Sequence, residues 1–473
     1  MKELRNVIGV SFKELEELLW TAMRREFSKV LASILERLDD WLKEHLDPKR
    51  YEVKGRETRG LVSLLGDDLT FKRRRYLDKQ TGAYCYGLDE ALELPDRERV
   101  SPGMKSIILT QAVTTNSYRK AAESVERVVG FRAVSHETVR QVVKSVGAGV
   151  EAAIAASLEA PEGKRKVRIL FAEVDSLYIP LQRGAKRHVE EKVITLHEGW
   201  TPRYPGSSEY RLVEPKQFRT VASDFWEAAS RFAYSHYDID EHTIVVLNGD
   251  RASWIRKGVD YFPNVLYQFD RWHLRRDLRR LFAKQDKVRN RLLAALDADD
   301  ATGATFIAAF AEALKVLDGE KRKEAERLLK DLASMPEAIV DYRKRLEARG
   351  VCVDGLRGMG AAEGQMDRFS DRMKGGRSWS VAGAAAMMEI LCARHNGWFG
   401  NLLARLEAIC AKHLKAPVSL KAAATEAAKS VMRGLSIGMK QGGTPICHAG
   451  RTASGGLSHL MHRINESGMT VRA

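Results

Sequence analysis

Cysteine is sparse: five in 473 residues, at 85, 352, 392, 410 and 447, odd in number and scattered. No disulfide framework follows from such spacing, and a reducing compartment fits it. Long apolar runs are missing too, so no segment has the length of a membrane-spanning helix. The opening Met1-Lys-Glu-Leu-Arg leads into a charged amphipathic segment, not a secretory leader. Neither a phosphate-binding loop nor a Ser-His-Asp arrangement stands out. Gly355, Gly358 and Gly360 make no dinucleotide fingerprint, because no apolar strand precedes them. Cys447, His448, His459 and His462 have a loosely metal-like composition, but their spacing fits no closed zinc site.

What remains is a long, basic chain. Lys and Arg number 78 against 63 Asp and Glu, a net charge of +15. That excess favours an anionic partner, and with no membrane segment in view the expected partner is nucleic acid. The length calls for several domains, and 44% hydrophobic residues suffice to fold them.

Periodicity divides the chain. Phe12, Leu15, Leu19, Met23, Phe27, Val30, Ile34, Leu38 and Trp41 recur at three- and four-residue spacing, which predicts a helix over 11–45 within an N-terminal segment 1–50. Its stripe is either a dimer seam or a face packed on its own domain. Short strands and turns over 51–96 predict a small basic β-meander. Its middle strand carries Lys72, Arg73, Arg74 and Arg75, which either follow a phosphate backbone or protect a sheet edge. Over 97–160 two helices, a Gly130 turn and a Ser135 cap match a helix-turn-helix. Ser135, His136, Thr138, Arg140 and Gln141 would then face DNA. Residues 161–274 read as α/β, 275–355 as a charged helical insertion, 356–436 as the return to the core, and 437–473 as a flexible basic tail.

Two apolar strands run into aspartates, Ile169 to Asp175 and Ile244 to Asp250, and a third acid, Glu363, lies downstream. Mg²⁺ needs oxygen ligands, and a pair of such ions over a phosphodiester needs one shared carboxylate and one more for each ion. Strand ends hold acids rigidly. Glu173 shares a strand face with Asp175 and is a reserve ligand. Each Asp has a plainer role open to it, as a turn or helix cap. Arg368, Arg372, Lys374 and Arg377 follow Glu363 and either hold a DNA backbone or form a solvated helix face. Trp379 either stacks on an unpaired base or fills a core.

The surroundings of the acids add specificity. Leu247-Asn-Gly-Asp250-Arg-Ala-Ser-Trp254, Phe269-Asp270-Arg-Trp-His273, Glu363 with Arg368, and Gly376-Arg-Ser-Trp379 resemble the ISLre2-type insertion-sequence transposases, part of the DDE group. Leu69 to Tyr76, Thr81-Gly82 and Leu88-Asp89-Glu90 extend the resemblance over most of 55–400. It implies an α/β RNase H-like catalytic core, a mixed sheet flanked by helices, with a helical insertion and N-terminal DNA-binding segments. It further implies Asp175, Asp250 and Glu363 as catalytic residues holding two Mg²⁺ ions, with Mn²⁺ a substitute, and Asp270 and His273 in support. The expected partners are transposon-end and target DNA and further copies of the chain, with no small-molecule cofactor. The expected setting is a prokaryotic cytoplasm, at the nucleoid. A helix-turn-helix protein without catalysis and a Mg²⁺-dependent nuclease without strand transfer are the alternatives. The resemblance leads one to expect a small residue after Asp250. Arg251 stands there, either to contact a phosphate or to disturb the site.

Overall fold

A computed structural model describes residues 11–400, apart from 65, 93, 95, 158–163, 184–185, 222–223 and 299–301. The Cys447, His448, His459 and His462 group and the 437–473 tail lie outside the described residues. The chain divides into two units, one reaching Val143 and one running from Lys144 to Phe399.

The first unit opens with helix α1 (Phe12–His45), the span its periodicity predicts. Ser11 and Glu14 cap it reciprocally, each side chain taking the other's backbone N–H. Its apolar stripe splits. Leu35, Leu38 and Leu42 are buried with Leu61, Leu69, Phe71 and Leu88, whereas Phe12, Leu15, Leu19, Met23 and Phe27 stay exposed. Strands β1 (Tyr51–Ser63), β2 (Gly66–Asp78) and β3 (Tyr84–Cys85) form an antiparallel sheet in that order. Helices α2 (Gly87–Ala91), α3 (Pro102–Thr114), α4 (Tyr118–Val129) and α5 (His136–Ser157) follow, α5 continuing past the unit's end. Gly130 closes α4 with φ 78°, a conformation that favours glycine, and Ser135 Oγ accepts the Thr138 N–H at 3.1 Å. Two helices and a tight turn are thus present where the sequence places them.

The second unit is built on a mixed sheet. Its strands are β4 (Ile169–Pro180), β5 (His188–His197), β8 (Lys216–Thr220), β9 (Ile244–Gly249) and β10 (Val265–Phe269), in the order β10-β9-β4-β5-β8. A small hairpin of β6 (Trp200–Pro202) and β7 (Tyr210–Leu212), which the sequence pattern does not announce, joins β5 to β8. β9 pairs parallel with both β4 and β10, and β5 pairs antiparallel with β4 and β8. The central strand is covered on both faces. Leu170, Ala172 and Val174 pack with helix α6 (Phe225–His236), and Phe171 packs with Val246, Leu266, Tyr342, Leu346 and Val351. That explains a strand apolar throughout rather than alternating. Helix α7 (Ser253–Arg256) follows β9, and α8 (Arg271–Leu281) follows β10. The expected insertion is helical among its described residues: α9 (Asp286–Asp297), α10 (Ala304–Ala313), α11 (Gly319–Ala333) and α12 (Tyr342–Glu347). Helices α13 (Ala361–Met373) and α14 (Val381–His395) return the chain to the sheet.

Candidate functional site

Asp175 sits on β4, at the edge of the sheet's buried core. Asp250 follows β9 directly, because Gly249 lets the chain pass close under α7: a Cβ there would come within 2.6 Å of Ile255. His273 lies in the first turn of α8, whose N-cap is Asp270, accepting N–H bonds from Trp272 (2.8 Å) and His273 (3.1 Å). Glu363 lies in the first turn of α13. These elements come from 188 residues of chain separation between Asp175 and Glu363 (363 − 175), yet donor atoms of Asp175, His273 and Glu363 all lie within 4.8 Å of one another.

The cluster carries excess negative charge. Burial pushes the Asp175 carboxyl up to about 6, the Ser176 N–H and His273 work against this, and the charges of Asp250 and Glu363 raise it further. His273 is raised: burial opposes its charge, but hydrogen bonding and charge from Asp270, then Asp175, outweigh it. Its Nδ1 is 3.4 Å from Asp270 Oδ2 and its Nε2 3.9 Å from Glu363 Oε2. A carboxylate behind one ring nitrogen, with the other facing the acids, is the arrangement that orients a metal-ligating imidazole. Two carboxylates and an imidazole suit Mn²⁺ or Mg²⁺, and the repulsion among acids gives the site reason to take up a cation.

Two expectations change here. His273 is among the converging donors, where a supporting role was expected. Asp250, expected as a metal ligand, is outside the three-residue cluster. Its Oδ1 accepts the Ala252 N–H at 2.8 Å, which is the plainer turn role. It remains near enough for its charge to reach Asp175. A cavity of about 60 Å³ beside it is lined by Asp250, Arg251, Asp270, His273 and Arg276 among others. Arg251 is paired within the protein and lines the same cavity. Its guanidinium pairs with Asp277 at 2.8 Å and reaches Asp331 of α11 at 4.0 Å.

Glu173 is not a reserve ligand. It is buried, lies outside the three-residue cluster, and its carboxylate accepts the N–H groups of Gly360 (3.1 Å) and Ala362 (3.0 Å).

Several expected DNA contacts are consumed inside the protein. Arg73 is buried on Asp89 (2.6 Å), and Arg74 is buried on Asp39 (2.6 Å) while reaching Asp40. Adjacent residues on a strand point to opposite faces, so alternation does not bury both; each is buried because it meets its own acid, Asp89 for Arg73 and Asp39 for Arg74. Lys72 is exposed, and Arg75 is partly exposed against Glu57. Arg372 is buried over the Trp379 ring, and Arg377 donates to the carbonyls of Asp371, Arg372 and Lys374 that end α13. Arg368 is exposed and Lys374 partly so. Trp379 is core, its indole N–H bonded to the Met373 carbonyl. On α5, Ser135, His136 and Gln141 are exposed and Thr138 partly so, but Glu137 holds Arg140 by two bonds. The exposed tryptophan beside the cluster is Trp272, 4.9 Å from His273 ring to ring. Sequence alone did not single it out.

Fold and site together define a mixed α/β protein with a partly exposed carboxylate–imidazole cluster beside the central strand of its sheet. Among the described residues no helix is long and apolar enough to cross a membrane. The chain belongs to UPF0236, an uncharacterised protein family whose model matches residues 5–403. It is 27% identical over 378 residues to a UPF0236 protein of Caldanaerobacter subterraneus subsp. tengcongensis whose name joins eleven locus designations, covering 78% of this chain and 74% of that one. It is 28% identical over 395 residues to a UPF0236 protein from a vanSb 3′ region of Streptococcus gallolyticus, covering 82% and 83%.

Proposed function

We propose that this chain is a DDE-type transposase of the ISLre2 kind, cleaving DNA at transposon ends and joining the 3′-hydroxyl to target DNA. The observation that carries the reading is the convergence of Asp175, His273 and Glu363 from β4, α8 and α13. A mixed sheet with the first acid on its central strand and the second just after the neighbouring strand is consistent with an RNase H-like core. In this reading Asp175, Glu363 and His273 hold a divalent cation, and Asp250 serves with Asp175 once its carboxylate turns from Ala252. A divalent cation would supply charge neutralisation and activation of the attacking oxygen. The protein's own part is to fix these ligands on rigid elements, with Asp270 setting the imidazole.

Lys72, Arg75, Ser135, His136, Gln141, Arg368 and Lys374 are the exposed or partly exposed candidates for DNA contact. A relative whose single name joins eleven loci of one genome is what a multiplying element would leave. The exposed half of α1 is the candidate seam for the oligomer that pairing two ends requires. The setting would be a prokaryotic nucleoid.

The test is incubation of the protein and of Asp175→Asn with the DNA ends of its own element and Mg²⁺. Cleaved and joined products from the parent alone support the reading. Cleavage that survives Asp175→Asn sinks the site assignment. Cleavage without joining favours a simple nuclease, and binding without cleavage by either form favours a non-catalytic DNA-binding protein.

A further inference from the structure

Beneath the cluster runs a line of buried polar side chains that the proposed chemistry does not use. Glu173, 1% exposed, is its centre. Its Oε2 accepts the backbone N–H groups of Gly360 (3.1 Å) and Ala362 (3.0 Å) and faces Asn248 Nδ2 at 3.4 Å. Its Oε1 faces His197 Nε2 at 3.3 Å. Asn248 Nδ2 also lies 3.2 Å from Asp270 Oδ2. The amide orientation is fixed by its neighbours, because both are acceptors and only the NH₂ end can face them. The same logic sets the His197 tautomer: Nε2–H donates to Glu173 and Nδ1 accepts the Gly199 N–H at 3.2 Å.

Helix α13 has no capping side chain of its own. Its N-cap is Gly360, at φ 146°, a conformation left to glycine. Glu173 supplies the missing cap from a strand 187 residues away. The strand that carries Asp175 therefore also holds the helix that carries Glu363. Through Asn248, next but one before Asp250 on β9, the link continues to Asp270, which caps α8 and sits behind His273. All four elements bearing site residues are joined one layer below the cluster.

We propose that Glu173, with Asn248, is the positioning residue of this site, setting the distance of Glu363 and His273 from Asp175. The inference rests on the reading of Asp175, His273 and Glu363 as a divalent-cation site. The charge type of Glu173 matters, because four donors converge on it. A carboxylate offers two acceptor oxygens, whereas an amide would turn an NH₂ against donors. In Glu173→Gln, α13 would lose a cap bond and Glu363 its fixed place, while every ligand remains.

The experiment is Mn²⁺ titration followed by electron paramagnetic resonance on the full chain, its Asp175→Asn control, Glu173→Gln and Asn248→Ala, with thermal melts of each. Glu173→Gln is expected to weaken Mn²⁺ binding about 10–100-fold while keeping a cooperative melt. Cleavage at saturating Mn²⁺ should return to within a few-fold of the parent, a split that lost ligation would not show. Should Glu173→Gln fail to fold, Asn248→Ala decides, with the same direction expected and a smaller loss. Affinities within twofold of the parent in the folded variants overturn the inference alone. Absence of binding by the parent, or binding unchanged in Asp175→Asn, overturns the metal-site reading and the inference with it.

Discussion

Two clusters of charge, one in each unit, are built on opposite rules. In the first unit Arg74 meets Asp39 and Asp40, and Arg59 and Arg73 share Asp89. Each buried charge of that cluster has an opposite within ion-pair distance, although Asp40 itself is exposed. In the second unit Asp175 and Glu363 meet one imidazole, partly open, and burial, with the charges of Asp250 and Glu363 adding to it, raises the Asp175 carboxyl to about 6. Balanced burial contributes to a fold. An unbalanced cluster costs stability, and it is tolerated where a ligand is to complete it.

The sharpest way to break that comparison is to remove an acid from each side. Glu363→Gln should lower cleavage by about 100-fold or more, several kcal/mol of barrier, while the metal-free protein melts no lower than the parent. A lowered melt with cleavage retained would make Glu363 structural. Arg74→Ala should do the reverse, destabilising on the order of 3 kcal/mol in urea titration by stranding buried Asp39. Were it instead to cost DNA affinity at unchanged stability, the balanced cluster would be a DNA surface after all.

A third cluster sharpens the rule, since it stands between the two. Arg219 is buried between Glu191 (3.0 Å) and Glu389 (2.8 Å), two acids for one base. Burial pushes Glu389 up to about 7 from 4.5, with Arg219 opposing. The folded carboxyl then keeps its proton where the unfolded one has released it. This group's contribution to stability should therefore fall as pH rises from about 4.5 to about 7 and level off above. Thermal melts across that range should show the slope, and Glu389→Gln should flatten it. The smallest expected effect is on the surface. Lys72→Ala should weaken DNA binding at every sequence and reduce the salt slope of log affinity by about 1, read by fluorescence anisotropy.

Much of this was legible in the residues. The 3–4 spacing gave α1 its span, and double-sided burial marked β4 and β9 as central strands. Asp250 does follow the end of β9, but β4 runs on past Asp175 to Pro180, so that acid is mid-strand and not at a strand end. Partners distant in sequence were not legible. A run of Arg on a strand reads the same whether solvated or paired, and the acids that bury Arg73 and Arg74 lie 16 and 35 residues off. Glu173 read as a ligand because strand alternation puts it on the face of Asp175, while the N–H groups it serves arrive 187 and 189 residues later. Trp379 and Trp272 are indistinguishable as letters. Only packing buries the first and exposes the second.

The most direct test is diffraction at the manganese absorption edge from crystals of the chain soaked in Mn²⁺. An anomalous peak within ligand distance of Asp175, His273 and Glu363, lost in Asp175→Asn, is the expected result. A metal bound elsewhere, or a soaked crystal with no peak among these three residues, would contradict the account.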